Sequence, residues 1–597
     1  MCGIHAAISR TGFHIPREDL KHLICNRGPD HTGDHHSRID AHDGAPYWIT
    51  LMSTVLALRG GHVTPQPFVD ASSGSALCWN GEAWKIGPDP VTGNDGQAVF
   101  NLLIQASSSQ NLAFDSTTAI LEVLRSISGP FAFVFLDKNH GQLYFGRDRL
   151  GRRSLVSKYD SDLSILELCS TSGEKGSWVE VEADGIYRLS YDDSNSQEES
   201  RLPSEDWITT IAAIHRHPWA TAKSNASGLP LGLFNMTAPT EKFVLDIQSD
   251  SVGHLRHLLS ESVNLRVQNI PLPPIHDLNH HVRVAVLFSG GLDCTVLARM
   301  AHDLLPIDQH IDLINVAFEN PRVVQAAKNA AKPRKGSSKD SKVDVQDAKA
   351  ALPEEPVSDV SPFEICPDRE TGRKAFQELQ TVCPARTWRF VAVDVPYSET
   401  IAHKARVISL ISPHNTEMDL SIAYALYFAA RGVGTATSSL DATPVPYATP
   451  ARVLLSGLGA DELFGGYTRH ATAFNRRGFT GLLEELKLDV DRLGMRNLGR
   501  DDRVIAHWGR EARFPYLDEN LVKWAVESPI WKKCGFQLEA PEQNQDLNIE
   551  PGKKVLRLLA YDLGLHSVAM EKKRAIQFGA RTAKMELGST KGTSLIS

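Results

Sequence analysis

No apolar run in this chain reaches the ~18 residues needed to cross a bilayer. Its start lacks the charged-then-apolar pattern of a secretory signal. A membrane protein is not expected, and a cytoplasmic location is. Cysteines are sparse, eight in 597 residues, and none falls at CxxC or CxH spacing. That argues against a zinc site and a disulfide framework, and for reduced intracellular thiols. Basic excess is missing too: the formal net charge is −8, which argues against a dedicated nucleic-acid binder. What remains is an ordinary globular composition, 42% hydrophobic and 22% charged. The length exceeds the ~250–300 residues at which one core stops growing, so at least two domains are expected.

Residues 2–190 carry short apolar stretches broken by Gly, Asp and Pro, such as Phe131–Leu136 and Gln142–Phe145. They predict the strands of an all-β or α+β domain with large antiparallel sheets. Residues 191–245 read as an irregular linker, Ser/Asp/Glu-rich and then Pro/Gly-rich. From 246 to 597 the pattern changes. Val282–Phe288 ends in Ser289-Gly290-Gly291, after which Val296, Leu297, Met300, Ala301, Leu304 and Leu305 fall at helical spacing. Further near-continuous apolar runs are Ile311–Phe318, Arg389–Val395 and Val453–Leu455. Such runs alternating with helices predict an α/β domain around a buried parallel sheet. Residues 324–360 have almost no large apolar side chains and are predicted to be disordered. Residues 434–450 read as a surface insertion, and the last ~20 residues as a frayed tail.

Three places carry chemistry. Cys2 follows Met1, and loss of Met1 would leave a thiol beside a free α-amine of pKa about 8, a nucleophile with its own base. Ser289-Gly290-Gly291-Leu292-Asp293 lies between a buried strand and a helix. Its glycines let backbone N–H groups wrap an anion, Ser289 adds a hydroxyl, and Asp293 is placed to hold Mg²⁺ on a polyphosphate. The bland alternative is a tight turn with glycines used only for shape. Ser456-Gly457-Leu458-Gly459-Ala460-Asp461-Glu462 ends another buried strand. Asp461 there is either a second acidic metal ligand or a helix cap.

With these motifs in this order, and Arg513-Phe514-Pro515-Tyr516-Leu517-Asp518 after them, the second half resembles the synthetase domain of glutamine-dependent asparagine synthetases. The first half resembles their glutaminase domain through Met1-Cys2-Gly3-Ile4, Arg27-Gly28-Pro29-Asp30, Asn80-Gly81-Glu82, Asn94-Asp95, Gly146-Arg147-Asp148 and Gly151. Leu58-Arg59-Gly60, Pro367-Asp368-Arg369, Thr371-Gly372-Arg373 and the run Lys573–Gly579 resemble one branch, the asparagine synthetase domain-containing proteins. The resemblance implies a class II glutamine amidotransferase domain over 2–190, an α+β N-terminal-nucleophile fold of stacked antiparallel sheets between helices. It implies an α/β ATP-pyrophosphatase-type domain over 246–597.

The resemblance also implies roles. Cys2 would attack glutamine, with Asn80 and Gly81 as the oxyanion hole. Arg59 would hold the glutamine α-carboxylate, and Glu82 and Asp95 its ammonium. Asn80-Gly81 could instead be a hairpin turn, and Asp95 a helix cap. Arg27 and Asp30 would shape the loop over that site. Leu287, Ser289, Gly290, Gly291, Asp293, Ser456, Gly457, Asp461 and Lys573 would bind ATP, with Asp293 and Asp461 holding Mg²⁺. Lys553 and Lys554 read as a solvated helix face. The implied reaction turns aspartate, glutamine and ATP into asparagine, glutamate, AMP and pyrophosphate. Leu458 departs from it, because the family has Glu there as general base, and leucine cannot take a proton. Cys294 replaces a family serine, and Ala83-Trp84-Lys85 replaces the usual run after Asn80-Gly81-Glu82. Another carboxylate acceptor, or a non-catalytic regulatory role, therefore stays open.

Overall fold

The computed structural model describes residues 2–40, 45–108, 115–173, 178–191, 214–220, 231–272, 282–330, 361–537, 549–585 and 592–596. The N-terminal half holds two six-stranded antiparallel sheets. In the first, Gly3–Ser9 lies between Ile165–Cys169 and Pro46–Val55. In the second, Phe131–Asp137 lies between Ala76–Gly81 and Gln142–Arg147. Phe131–Asp137 is apolar almost throughout because both its faces are covered. Side chains alternate across a strand, so Ala132, Val134 and Leu136 meet Ile4, Ala6 and Ile8 of the first sheet. Phe131, Phe133 and Phe135 point the other way, onto Val99, Leu103, Ile120 and Leu124 of the helices Asp95–Ser107 and Ser116–Ser126. Leu20 and Ile24 of the helix Glu18–Arg27 cover the far face of the first sheet. The layers thus run helix, sheet, sheet, helix.

The predicted linker contributes to this half: Ile214–Pro218 pairs with Gly185–Ser190 as an edge strand of the second sheet. Residues 192–213, which hold the acidic patch, and 221–230 lie outside the described residues.

The C-terminal half is built on a seven-stranded sheet. Five of its strands, Trp388–Val395, Ile311–Phe318, Val284–Leu287, Val453–Leu455 and Glu511–Arg513, are parallel in that spatial order, the last at one edge. Residues 434–450, read from the sequence as a surface insertion, form a largely exposed edge hairpin. Val433–Thr437 and Val445–Ala448 extend the sheet antiparallel at the other edge, so the sheet is mixed. Polar, β-branched residues suit such an edge, where one side of the strand meets water. The helix Pro321–Ala330 covers the start of the stretch predicted to be disordered, and 331–360 lie outside the described residues. The tail also differs from expectation. Glu417 and Met418 donate backbone hydrogen bonds to Ser594 and Gly592, at 3.0 and 2.9 Å. No helix among the described residues is long and apolar enough to cross a membrane.

The strand order sets the site. From Val284–Leu287 the chain builds outward through Ile311–Phe318 and Trp388–Val395, then returns to place Val453–Leu455 on the other side. Ligands in open α/β sheets bind at such a reversal, beyond the carboxyl ends of the strands. The loops beginning at Ser289 and Ser456 leave the two strands flanking it.

Candidate functional sites

Cys2 immediately precedes the central strand of the first sheet and is buried. Its backbone N–H donates to Asn80 Oδ1 at 2.9 Å, joining the end of one sheet to the end of the other. Asn80 Nδ2 is buried with no hydrogen-bond partner. A buried amide donor left unpaired costs about 1–3 kcal/mol, which is a reason to look for a ligand it would meet. Gln66 Nε2 lies 3.7 Å from Cys2 Sγ, and its Oε1 accepts from Trp79 N at 2.9 Å. Burial pushes the thiol up from its ordinary value, opposed by the chain's terminal ammonium and by a backbone hydrogen bond from Leu56. Gly81 is required by packing, since a Cβ there would lie 2.5 Å from Phe131 Cβ.

Arg59, Glu82 and Asp95 converge on the segment that follows Gly81. Arg59 donates to the carbonyls of Ala83 and Val91, at 2.9 and 2.6 Å, and its Nε lies 3.6 Å from Glu82. Asp95 Oδ2 accepts from Ala83 N at 2.8 Å and Trp79 Nε1 at 3.0 Å. The cap of its helix is Asn94, whose side chain accepts from Gln97 N. Burial pushes Asp95 up, against the pull of Arg59. Burial likewise pushes Glu82 up, to about 8, against the pull of Arg513. Arg27 donates to the Cys2 carbonyl at 3.3 Å and pairs with Asp502 at 2.7 Å, while Asp30 pairs with Arg452 at 2.8 Å. Both residues therefore fasten this end of the sandwich to the C-terminal half.

In that half Gly290 adopts φ +79° and stands against Gly372, where a Cβ would lie 2.5 Å from the Gly372 Cα. Gly291 opens the helix Leu292–Leu304, which carries Asp293 in its first turn. Gly457 packs on Asp293, so the two loops touch. Ser289 Oγ lies 3.7 Å from Cys294 Sγ, and the thiol donates onward to Gly291 O at 3.3 Å. Asp461 lies in the first turn of the short helix Ala460–Phe464, whose cap position is Gly459.

Lys553 departs from the expectation of a solvated face. It is buried, and its Nζ donates to both Asp293 oxygens, at 2.8 and 2.7 Å, while lying 2.7 Å from Asp461. The reason is local. Lys553 sits before the helix Lys554–Asp562 at φ +56°, off the helical spiral, with its N–H bonded to Phe464 O at 2.8 Å. Lys573 also pairs with Asp461. Burial alone would raise Asp461, but the two ammonium groups hold it well below the usual carboxylate range, and Asp461 in turn raises Lys573 against its burial. Gly466 leaves the space for this cluster, since a Cβ there would meet Asp461 Oδ1 and Lys553 Cε.

A cavity of about 670 Å³ opens beside the cluster, lined by Leu287, Ser289, Asp293, Gly457, Leu458 and Asp461, with Lys573 at one side. It extends past Glu462 and Tyr467 to Arg469, Arg492 and Arg500. A smaller recess of about 60 Å³ is lined by Lys553, Arg557, Lys572, Lys573 and Arg574, cations that suit phosphate, together with the carboxylates of Asp293, Asp368 and Glu571. Among the described residues no group of three or more His, Cys, Asp or Glu could hold a metal. Asp293 and Asp461 nevertheless converge on one cation, and two carboxylates with phosphate oxygens are a usual Mg²⁺ set.

Sequence pattern alone gives Gln66 and Arg513 no individual role and places Lys553 on a solvated face. No local pattern marks Gln66. For Lys553, the Gly552 before it hinted at a non-helical position. Arg513 lay inside a recognised motif, yet its partner, Glu82, is 431 positions away.

The Asparagine synthase family model matches residues 446–487 and 477–591. Asparagine synthetase domain-containing protein 1 of Bos taurus is 34% identical, over 99% of this chain and 97% of that protein. The asparagine synthetase domain-containing protein of Saccharomyces cerevisiae is 33% identical, over 92% of this chain and 87% of that one. A solved Bacillus subtilis glutamine phosphoribosylpyrophosphate amidotransferase, complexed with ADP and GMP, covers 55% of this chain and 70% of its own. Its identity is 12% and its TM-score 0.25, too loose a match to bear on the fold. On the near-complete cover by its curated relatives, this chain belongs to the family of asparagine synthetase domain-containing proteins.

Proposed function

We propose that the protein is a glutamine-hydrolysing, ATP-dependent amide synthetase of the cytoplasm, with aspartate as the default acceptor. The observation that carries this reading is the cluster of Asp293, Asp461 and Lys553 at the switch point of the sheet. It stands in a chain whose other half buries Cys2 beside an unpartnered Asn80 amide.

With Met1 removed, the Cys2 amine would take the thiol proton, and Sγ would attack the glutamine side-chain carbon. Ammonia leaves, and water then releases glutamate from the thioester. Asn80 suits the oxyanion role because its Oδ1 is committed to Cys2 N, leaving Nδ2 free to meet developing charge. Gly81 would supply the backbone donor, while Arg59, Glu82 and Asp95 would hold the glutamine α-groups. In the second half Ser289, Gly290, Gly291, Ser456 and Gly457 would cradle the nucleotide beside Leu287, with Lys553 and Lys573 offsetting phosphate charge. An acceptor carboxylate oxygen attacks the α-phosphorus and pyrophosphate leaves. Ammonia then displaces AMP from the acyl carbon. Asp293 and Asp461 would hold Mg²⁺, which would supply charge neutralisation at phosphate oxygens.

Leu458 favours a second reading. It lines the cavity and offers no proton acceptor where the resemblance places a general base. An acceptor other than aspartate, or a relative that binds nucleotide without forming an amide, accommodates it. Untagged protein incubated with glutamine, ATP, Mg²⁺ and aspartate separates the readings by mass spectrometry. Glutamate, pyrophosphate and asparagine rising together support the first. Glutamate without pyrophosphate or asparagine supports the second reading, another acceptor or a half that forms no amide, and no product from either half sinks the enzyme reading.

A further inference from the structure

Arg513 touches both sites, from opposite ends of one residue. It closes the strand Glu511–Arg513, and its carbonyl accepts the N–H of Ser456, the first residue of the second nucleotide loop, at 2.9 Å. Its guanidinium points into the other half. Nη2 donates to Glu82 Oε1 at 2.9 Å, Nε to Glu511 at 2.6 Å and Nη1 to the Arg266 carbonyl at 2.7 Å. Glu82 directly follows Asn80 and Gly81. Its second oxygen is buried with no hydrogen-bond partner, and Arg59 Nε stands 3.6 Å away. Arg513 and Glu511 are themselves fully buried, and Arg153 backs Glu511 at 3.1 Å.

Resting on the function proposed above, we infer that Arg513 is a positioning residue that couples nucleotide occupancy to the shape of the glutamine pocket. The physical basis is stiffness and low dielectric. Ser456 and Arg513 are joined by a ladder hydrogen bond within the sheet, so the loop that receives nucleotide and the base of the guanidinium move together. Glu82 is buried and only half satisfied, so a small displacement of the Arg513 guanidinium that holds its Oε1 changes its position strongly. Coupling of this kind is reciprocal: nucleotide tightens glutamine, and glutamine tightens nucleotide by the same factor.

The test measures glutamine KM and kcat for hydrolysis, with and without saturating ATP and Mg²⁺, in wild type, Arg513→Lys and Glu82→Gln. Wild type should show a KM at least threefold lower with ATP, and little change in kcat. Arg513→Lys keeps the charge but loses the planar fork, and its KM ratio should fall to one. Glu82→Gln removes the charge at the far end without touching the strand and should lose the ratio too, which covers failure of Arg513→Lys to fold. A residue with only a packing role would lower stability but leave the ratio in the folded fraction unchanged. A wild type that hydrolyses glutamine and binds ATP without any effect of one on the other overturns the coupling and leaves the proposed function standing. So does a ratio retained in both variants. A wild type that does not hydrolyse glutamine overturns both.

Discussion

Lys553 grips Asp293 through both carboxylate oxygens, at 2.8 and 2.7 Å, and so occupies the space between Asp293 and Asp461. Removing it leaves the buried Asp461 carboxylate facing the half-buried Asp293 with Lys573 in attendance. Breaking a buried pair in this way costs roughly 3–5 kcal/mol, and Lys573 should hold the loss to the low end. Lys553→Met should therefore melt well below wild type in EDTA. Mg²⁺ should restore more stability to the variant than to wild type, because the carboxylates are no longer neutralised. Thermal melts in EDTA and in millimolar Mg²⁺ check this, and an identical Mg²⁺ response in both proteins counts against the cluster as a cation site.

Cys2→Ala should abolish glutamine hydrolysis and spare synthesis driven by added ammonia. Asn80→Ala should lower glutamine-dependent kcat about 10²–10³-fold, the usual loss for one oxyanion donor. Stopped glutaminase and ammonia-driven assays on the same preparations check both. An Asn80→Ala enzyme with wild-type kcat removes Asn80 from that role.

Gly290 combines φ +79° with a Cβ position 2.5 Å from Gly372 Cα. Gly290→Ala meets strain and backbone overlap together, so a loss of about 2–4 kcal/mol is expected. Nucleotide affinity should fall as well, since the loop must shift off the helix Pro367–Val382. Urea unfolding and ATP titration by calorimetry check the two effects separately.

Asp368 lines the cavity, and burial raises its carboxyl to about 7, against the pull of Arg574 and Lys573. Its unfolded value is about 4, so the native state binds the extra proton between these limits. That contribution to stability is complete below pH 4 and is lost as pH rises through 7. Asp368→Asn cannot ionise and should gain on wild type by roughly 1–3 kcal/mol at pH 8, with little difference at pH 4. Melting temperatures of both proteins across that range check the sign. A gap that does not widen with pH refutes it.

Leu458→Glu places a proton acceptor in the cavity wall. Where a missing base limits amide formation, asparagine output should rise about 10²–10⁴-fold, the range of general-base catalysis. Wild-type asparagine output equal to that of the variant would mean that Leu458 is no obstacle.

Much of this was legible in the chain. The runs at Phe131–Leu136, Ile311–Phe318 and Val453–Leu455 announced strands, because continuous apolar character over so few residues fits a strand covered on both faces. Gly290 announced a tight loop, because tolerance of positive φ and a missing Cβ are properties of the residue itself. The family was also legible through its motifs, and the near-complete cover by relatives agrees with it. The strands within 434–450 were not legible, because an edge hairpin and an exposed loop have the same polar, β-branched composition. The tail misled, since its docking uses backbone hydrogen bonds that leave no side-chain signature.

The sequence by itself determined the local pieces: strand and helix patterns, the glycine loops, and which carboxylates and thiols stand at their ends. Only the tertiary structure decided the pairings among them. Lys553 meets Asp293 across 260 positions and Arg513 meets Glu82 across 431, through the order of strands and the face each half turns to the other. Periodicity and glycine placement act over a few residues, so they can be read along the chain. Charge pairing acts through space, and the return of the sheet to the far side of Val284–Leu287 brings these charges together.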